Sequence, residues 1–152
     1  MFAVSCKGGG EKAKEEFKVP DDWKTYEAAA YTISFPEMEI SWSDETLLNA
    51  SNDDLFVSSN FYEGGPTIDQ IKQTGENLVA MIKAMGKVPG TPVVEDNVVT
   101  VTAEDKDAGK TAIHYTIIGE GTKGVSGSVT YKTGDKANAE TAANIIKTIK
   151  FK

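Results

Sequence analysis

Apolar residues recur at every second position through most of this chain. That period leaves a β-strand as the regular structure able to bury them on one side. Tyr31, Ile33 and Phe35 alternate with Thr32 and Ser34, and Met38, Ile40 and Trp42 alternate with Glu39 and Ser41. Leu55 to Tyr62 reads as a third strand. Val98 to Ala103, Thr111 to Ile118 and Val125 to Tyr131 read as three more, divided by Gly- and Asp-rich turns, close enough in sequence for an antiparallel meander.

The period changes to 3.6 in two places. After Gly64-Gly65-Pro66, Thr67 and Gln70 form a capping box, and Ile68, Ile71, Leu78, Ile82 and Met85 recur at helical spacing up to Gly86. The second helix is predicted from about Ala137 to Ile149, with Ala139, Ala142, Ala143, Ile146 and Ile149 on one face and Asp135 or Asn138 as its cap. Each helix has a single apolar stripe and is expected to lie on a sheet. The order is strands, helix, strands, helix. It predicts an α+β domain in which an antiparallel β-sheet of about six or seven strands carries helices packed on it.

At 152 residues the chain fits one domain, with a core that needs neither disulfide nor metal. Residues 17–152 are expected to form that domain, and residues 1–16 a separate leader and tether. Cys6 is the only cysteine, so no intrachain disulfide forms. Phe2-Ala3-Val4-Ser5-Cys6 resembles the end of a bacterial lipoprotein signal peptide, in which the cysteine becomes lipidated. The glycines Gly8 to Gly10 and the charged run Glu11 to Glu16 then act as a flexible tether. The pattern departs from type at Ala3, where leucine is commonest, and in the few residues before Cys6. A full signal needs a basic start and a longer apolar stretch, so the expectation includes residues upstream of Met1. The alternative is a cytoplasmic protein with an incidental thiol.

Charge narrows the partners. The formal net charge is −7, and all 16 basic residues are lysine. Arginine is the usual bidentate reader of phosphates and base edges, so its absence beside an acidic balance argues against nucleic acid. Glu27, Glu37, Glu39, Asp44, Glu45, Asp53, Asp54, Glu63 and Asp69 follow one another with no intervening lysine, whereas lysines dominate after Lys106. Aromatic residues fall in the same acidic half. Trp23, Trp42, Phe61 and Tyr62, with Glu39, Asp44, Glu45, Asp53 and Asp54, therefore make the candidate binding surface for an envelope protein or a small ligand.

The chemical-looking motifs fail on context. Gly119-Glu120-Gly121-Thr122-Lys123-Gly124 has the letters of a dinucleotide fingerprint, but a strand follows where a helix must receive the pyrophosphate. Gly109-Lys110-Thr111 copies the end of a phosphate-binding loop, with Glu104 in place of its first glycine. Gly124-Val125-Ser126-Gly127-Ser128 is one residue short of a nucleophile elbow. Asp105-Lys106-Asp107-Ala108-Gly109 lacks the distal ligands of a calcium loop and suits a turn. His114 is the sole histidine, which leaves a zinc site short of ligands. No catalytic residue, metal or cofactor is expected.

Val19-Pro20-Asp21-Asp22-Trp23, followed by Tyr31-Thr32-Ile33-Ser34-Phe35-Pro36, resembles the opening of PsbP-like domains, a group that includes DcrB-type bacterial lipoproteins and the nuclear Mog proteins. Glu37-Met38-Glu39 departs from that pattern, where a tryptophan is often near. The resemblance spans residues 17–152 and implies an α/β/α sandwich with a non-enzymatic accessory or binding role. Together these readings predict a lipid-anchored periplasmic binding or assembly-accessory domain. The alternatives are a small hydrolase or transferase using His114 with carboxylates, and a cytoplasmic partner-binding protein.

Overall fold

A computed structural model describes residues 17–152. Strands β1 (Lys24–Glu27) and β2 (Tyr31–Phe35) open the fold. They are followed by β3 (Glu39–Ser43), β4 (Leu47–Ser51) and β5 (Leu55–Tyr62). Helix α1 (Ile71–Ala84) precedes β6 (Val88–Pro89), β7 (Val93–Glu95), β8 (Val98–Asp105), β9 (Lys110–Ile118) and β10 (Gly124–Lys132). Helix α2 (Lys136–Lys147) and β11 (Lys150–Phe151) complete it.

The strands form two antiparallel sheets. The large one has eight strands in the order β3-β4-β5-β10-β9-β8-β6, with β7 also paired to β8; the small one has three, in the order β11-β2-β1. The α+β class is as predicted, but one sheet of six or seven strands is not. The additional strands are short or break the alternation. Leu47 and Leu48 are adjacent apolar residues, and β6, β7 and β11 are two or three residues long.

Register explains which side chains meet. Val57, Val129 and Ile113 are direct cross-strand neighbours on β5, β10 and β9. They belong to the larger core, together with Tyr31, Ile33, Phe35, Tyr115 and the α2 residues Ala142, Ile145 and Ile146. Residues of the other parity, Val101 and Ala103 on β8, pack with Ile82, Leu78 and Val79 of α1. Tyr31 is buried and shares a 2.6 Å hydrogen bond with Ser59 between the two sheets.

Both helices begin as their caps dictate. The Asp135 carboxylate accepts the Asn138 N–H at 3.0 Å to start α2. Gln70 Oε1 accepts the Thr67 N–H at 2.9 Å, and a 3₁₀ turn at Ile68–Gln70 leads into α1. Gly86, with φ +80°, follows the end of that helix. The predicted stripe of α1 needs correction, since Ile68 and Met85 are 48% and 47% exposed. Ile82 of the predicted stripe is buried, and Thr74 and Gly75 are buried with it, because the stripe faces one edge of the large sheet for only part of the helix. The β3 alternation is also interrupted. A bulge between Ile40 and Trp42 sets them opposite Ala50 and Asn49, and both side chains are exposed.

Two of the rejected motifs are hairpin turns, and Gly124–Ser128 lies within strand β10. The Gly119–Lys123 segment closes β9 onto β10 through Gly119 N–H to Lys123 O, with Gly121 at φ +63°. Asp105 Oδ1 accepts the Ala108 N–H in the turn between β8 and β9.

Candidate functional site

A cavity of about 900 Å³ lies between the large sheet and the unit formed by α2 and the small sheet. Thr100 and Thr102 of β8, and Ile113 of β9, line it from the large sheet. The register places Thr102 directly beside Ile113. Its rim is the tight turn Glu95-Asp96-Asn97 between β7 and β8. Asp96 holds a left-handed φ of +55° there, a conformation that short Asp side chains tolerate. Asn97 fixes the rim to β9, donating from Nδ2 to Ile118 O and accepting the Ile118 N–H, each at 2.8 Å.

Helix α2 and the small sheet supply Ile146, Lys147, Thr148, Thr25, Thr32, Ser34 and Lys150, and Phe17 and Val19 add apolar surface. Thr148 ties this side together. Its hydroxyl accepts the buried Ser34 N–H at 2.8 Å and lies 2.7 Å from Ile145 O and 3.2 Å from Ser34 O. Ser34 and Thr25 share a 2.8 Å hydroxyl bond. Thr32, Thr100 and Thr102 make no side-chain hydrogen bond among the described residues. Neither Lys147 nor Lys150 forms an ion pair within 4.0 Å among them. Lys147 has a structural duty as well, since a cation in the last turn offsets the negative end of the helix dipole. The cavity is thus an apolar cleft carrying hydroxyls and charges that remain available to a ligand.

The predicted surface residues are not brought together. Trp23 and Phe61 pack against the core, and Trp23 meets Phe17 with ring centroids 5.6 Å apart. Trp42 is 57% exposed on the edge strand β3, and its indole donates to Asp44 at 3.0 Å. Asp44 also accepts the N–H groups of Leu47 and Thr46, and these bonds hold its carboxyl at about 2, below the usual carboxylate range. That carboxylate therefore builds its own turn. Asp44 and Glu45 lie at one end of the β3–β4 hairpin, and Glu39, Asp53 and Asp54 towards the other. Burial raises the pKa of Tyr62, whose hydroxyl has no hydrogen-bond partner among the described residues. Cys6 lies outside the described residues.

His114 is half-buried between Val101 and Ser128, away from the cavity. Burial, and then the charge of Lys87, lowers its pKa, and Nε2 is buried without a partner among the described residues. Among the described residues no hydrogen bond joins this ring to a carboxylate. The unfolded chain takes up the proton more readily than the fold, so stability is expected to fall as pH drops below about 6.5. Chemical denaturation between pH 7 and 5 checks this. As the only histidine is involved, His114→Gln should flatten that part of the profile, and an unchanged slope would contradict the burial.

Among the described residues, no group of three or more His, Cys, Asp or Glu is placed to hold a metal ion. Neither the protein-family models nor the curated proteins compared with this sequence give a match. No helix among the described residues is long and apolar enough to cross a membrane. The cavity escapes sequence reading because its Thr, Ser and Lys residues come from β1, β2, β8, α2 and β11 and form no local motif.

Proposed function

We propose that this chain is a non-catalytic binding domain, held at a bacterial envelope through a lipid on Cys6, that takes a small polar organic ligand into the cavity beside α2. The observation carrying this reading is the cavity itself, at about 900 Å³ near the upper end of the range for drug-sized ligands. Its apolar floor supplies contact, and the hydroxyls of Thr32, Thr100 and Thr102 supply orientation. A hydrolase or transferase built on His114 is less well supported, because His114 does not line the cavity. We further propose a PsbP-like α/β/α sandwich. The element order and the packing of α1 and α2 on sheet residues of opposite parity support it.

The test is thermal unfolding against a panel of metabolites, with Thr102→Trp filling the cavity from its exposed wall. A ligand at 100 times its Kd adds about 2.7 kcal/mol, a shift of several degrees in a domain of this size. The shift should appear with the natural chain and vanish with Thr102→Trp. A panel that shifts neither protein, with turnover that depends on His114, would replace this reading with the enzymatic one. The anchor is tested separately by membrane fractionation of the full-length precursor and its Cys6→Ala variant. Retention of the variant on membranes would end the lipidation proposal.

A further inference from the structure

The cavity beside α2 carries charges of both signs that do not neutralise one another. Lys147, in the last turn of α2, and Lys150, on β11, belong to the wall made by α2 and the small sheet. Glu95, at the end of β7, and Asp96, in the turn that follows, belong to the rim on the large-sheet side. No ion pair within 4.0 Å joins either lysine to Glu95. Lysines alone would suit any organic anion. Carboxylates on the rim of the same cavity repel a plain anion, just as the lysines repel a plain cation. A ligand that carries both charges, one at each end, meets neither penalty.

The lining between these charges repeats as an extended backbone does. Thr100 and Thr102 are two residues apart on β8, so their side chains leave the same face about 7 Å apart. Their hydroxyls make no side-chain hydrogen bond among the described residues. The polar groups of an extended peptide recur at that same two-residue repeat. Lys150 lies directly opposite Thr32 in the small sheet, which sets an ammonium and a hydroxyl side by side for a carboxylate. A cavity of about 900 Å³ is about 10 Å across, the span of three extended residues.

We infer that the ligand of this cavity is a short peptide with both ends free, its carboxylate at Lys150 and Lys147 and its ammonium at Glu95. Ile113 and Ile146 offer apolar contact to its side chains. The inference rests on the cavity as a ligand site and adds the class of ligand.

The experiment is calorimetric titration of the full chain with Ala-Ala-Ala and Ala-Leu-Ala, each as the free, N-acetylated and C-amidated form. At least one free tripeptide is expected to bind, and each blocking group should weaken it about tenfold, the worth of one charged hydrogen bond. Lys150→Gln should erase the difference between acid and amide, and Glu95→Gln the difference between amine and acetyl. Both positions are exposed, so these changes spare the fold. Thr102→Trp should abolish binding. No binding by either free tripeptide at about 10 mM, far above the Kd of a specific site, would overturn the inference. So would blocked peptides binding as tightly as free ones, free alanine binding as tightly as a tripeptide, or peptide affinity unchanged in Thr102→Trp. A metabolite shift that vanishes in Thr102→Trp, without peptide binding, would overturn the peptide and leave the cavity as a site. Silence from metabolites and peptides alike would remove both.

Discussion

Gly127→Ala is expected to cost about 3 kcal/mol, lowering the midpoint of thermal unfolding by roughly 10 °C. Gly127 sits in the middle of β10, opposite Tyr115 on β9 and Ser59 on β5. A Cβ there would overlap the carbonyl oxygen of Ser58 and come within 2.9 Å of the Tyr115 hydroxyl. Neither neighbour can yield cheaply. Ser58 O is backbone, and Tyr115 is fully buried, its hydroxyl donating to that same oxygen at 3.0 Å. The methyl group must spread β5 from β10 or displace the tyrosine from the core. Urea unfolding should show a lower midpoint with an unchanged slope. A shift under about 2 °C would mean that the ring and the strand are not packed this way. Adding Tyr115→Leu should recover part of the loss, because the two substitutions share one contact.

Thr148→Val should cost about 2 kcal/mol although it preserves shape. The valine fills the same space but leaves the buried Ser34 N–H without an acceptor, and it removes the hydroxyl from beside Ile145 O. A buried donor left unpaired carries the full desolvation penalty, which exceeds the net worth of an ordinary hydrogen bond. Thr148→Ser keeps the hydroxyl and should retain most of the stability. The test is therefore the difference between the two variants in denaturant midpoint, and equal midpoints would refute the bridging role. Because Thr148 and Ser34 line the cavity, Thr148→Val should also weaken any cavity ligand.

Much of the fold is legible where a single period governs a segment. Leu55–Tyr62 is a strand with the predicted bounds, Lys110–Ile118 begins one residue earlier than expected, and Gly124–Lys132 extends one residue further at each end. The helix caps at Thr67 and Asp135 are legible for the same reason, since capping is local chemistry. Strand β4 is not legible. Leu47-Leu48 breaks the alternation, and Asn49-Ala50-Ser51 has the composition of a turn, so only pairing with β3 and β5 makes it a strand. The bulge that separates Ile40 from Trp42 is likewise a property of pairing.

The sites are less legible still. The acidic run looks like one surface in sequence, yet the β3–β4 hairpin sends its members to opposite ends, and Asp44 is committed to its own turn. The cavity emerges only once the elements are packed, because its polar lining residues come from β1, β2, β8, α2 and β11. Distance along the chain hides what distance across the sheet joins.

The pairing of β11 with β2 sets a timetable for synthesis. Lys150 and Phe151 lie beside Thr32 and Tyr31, and Ser34 waits for a partner 114 residues later. A nascent chain that has reached α2 still has an unfinished small sheet, and closing so long a loop yields no reward until the last strand is present. Ribosome-bound intermediates should therefore remain open to proteases and chaperones until β11 has emerged. The fold is completed as a single late event, not element by element as the chain emerges.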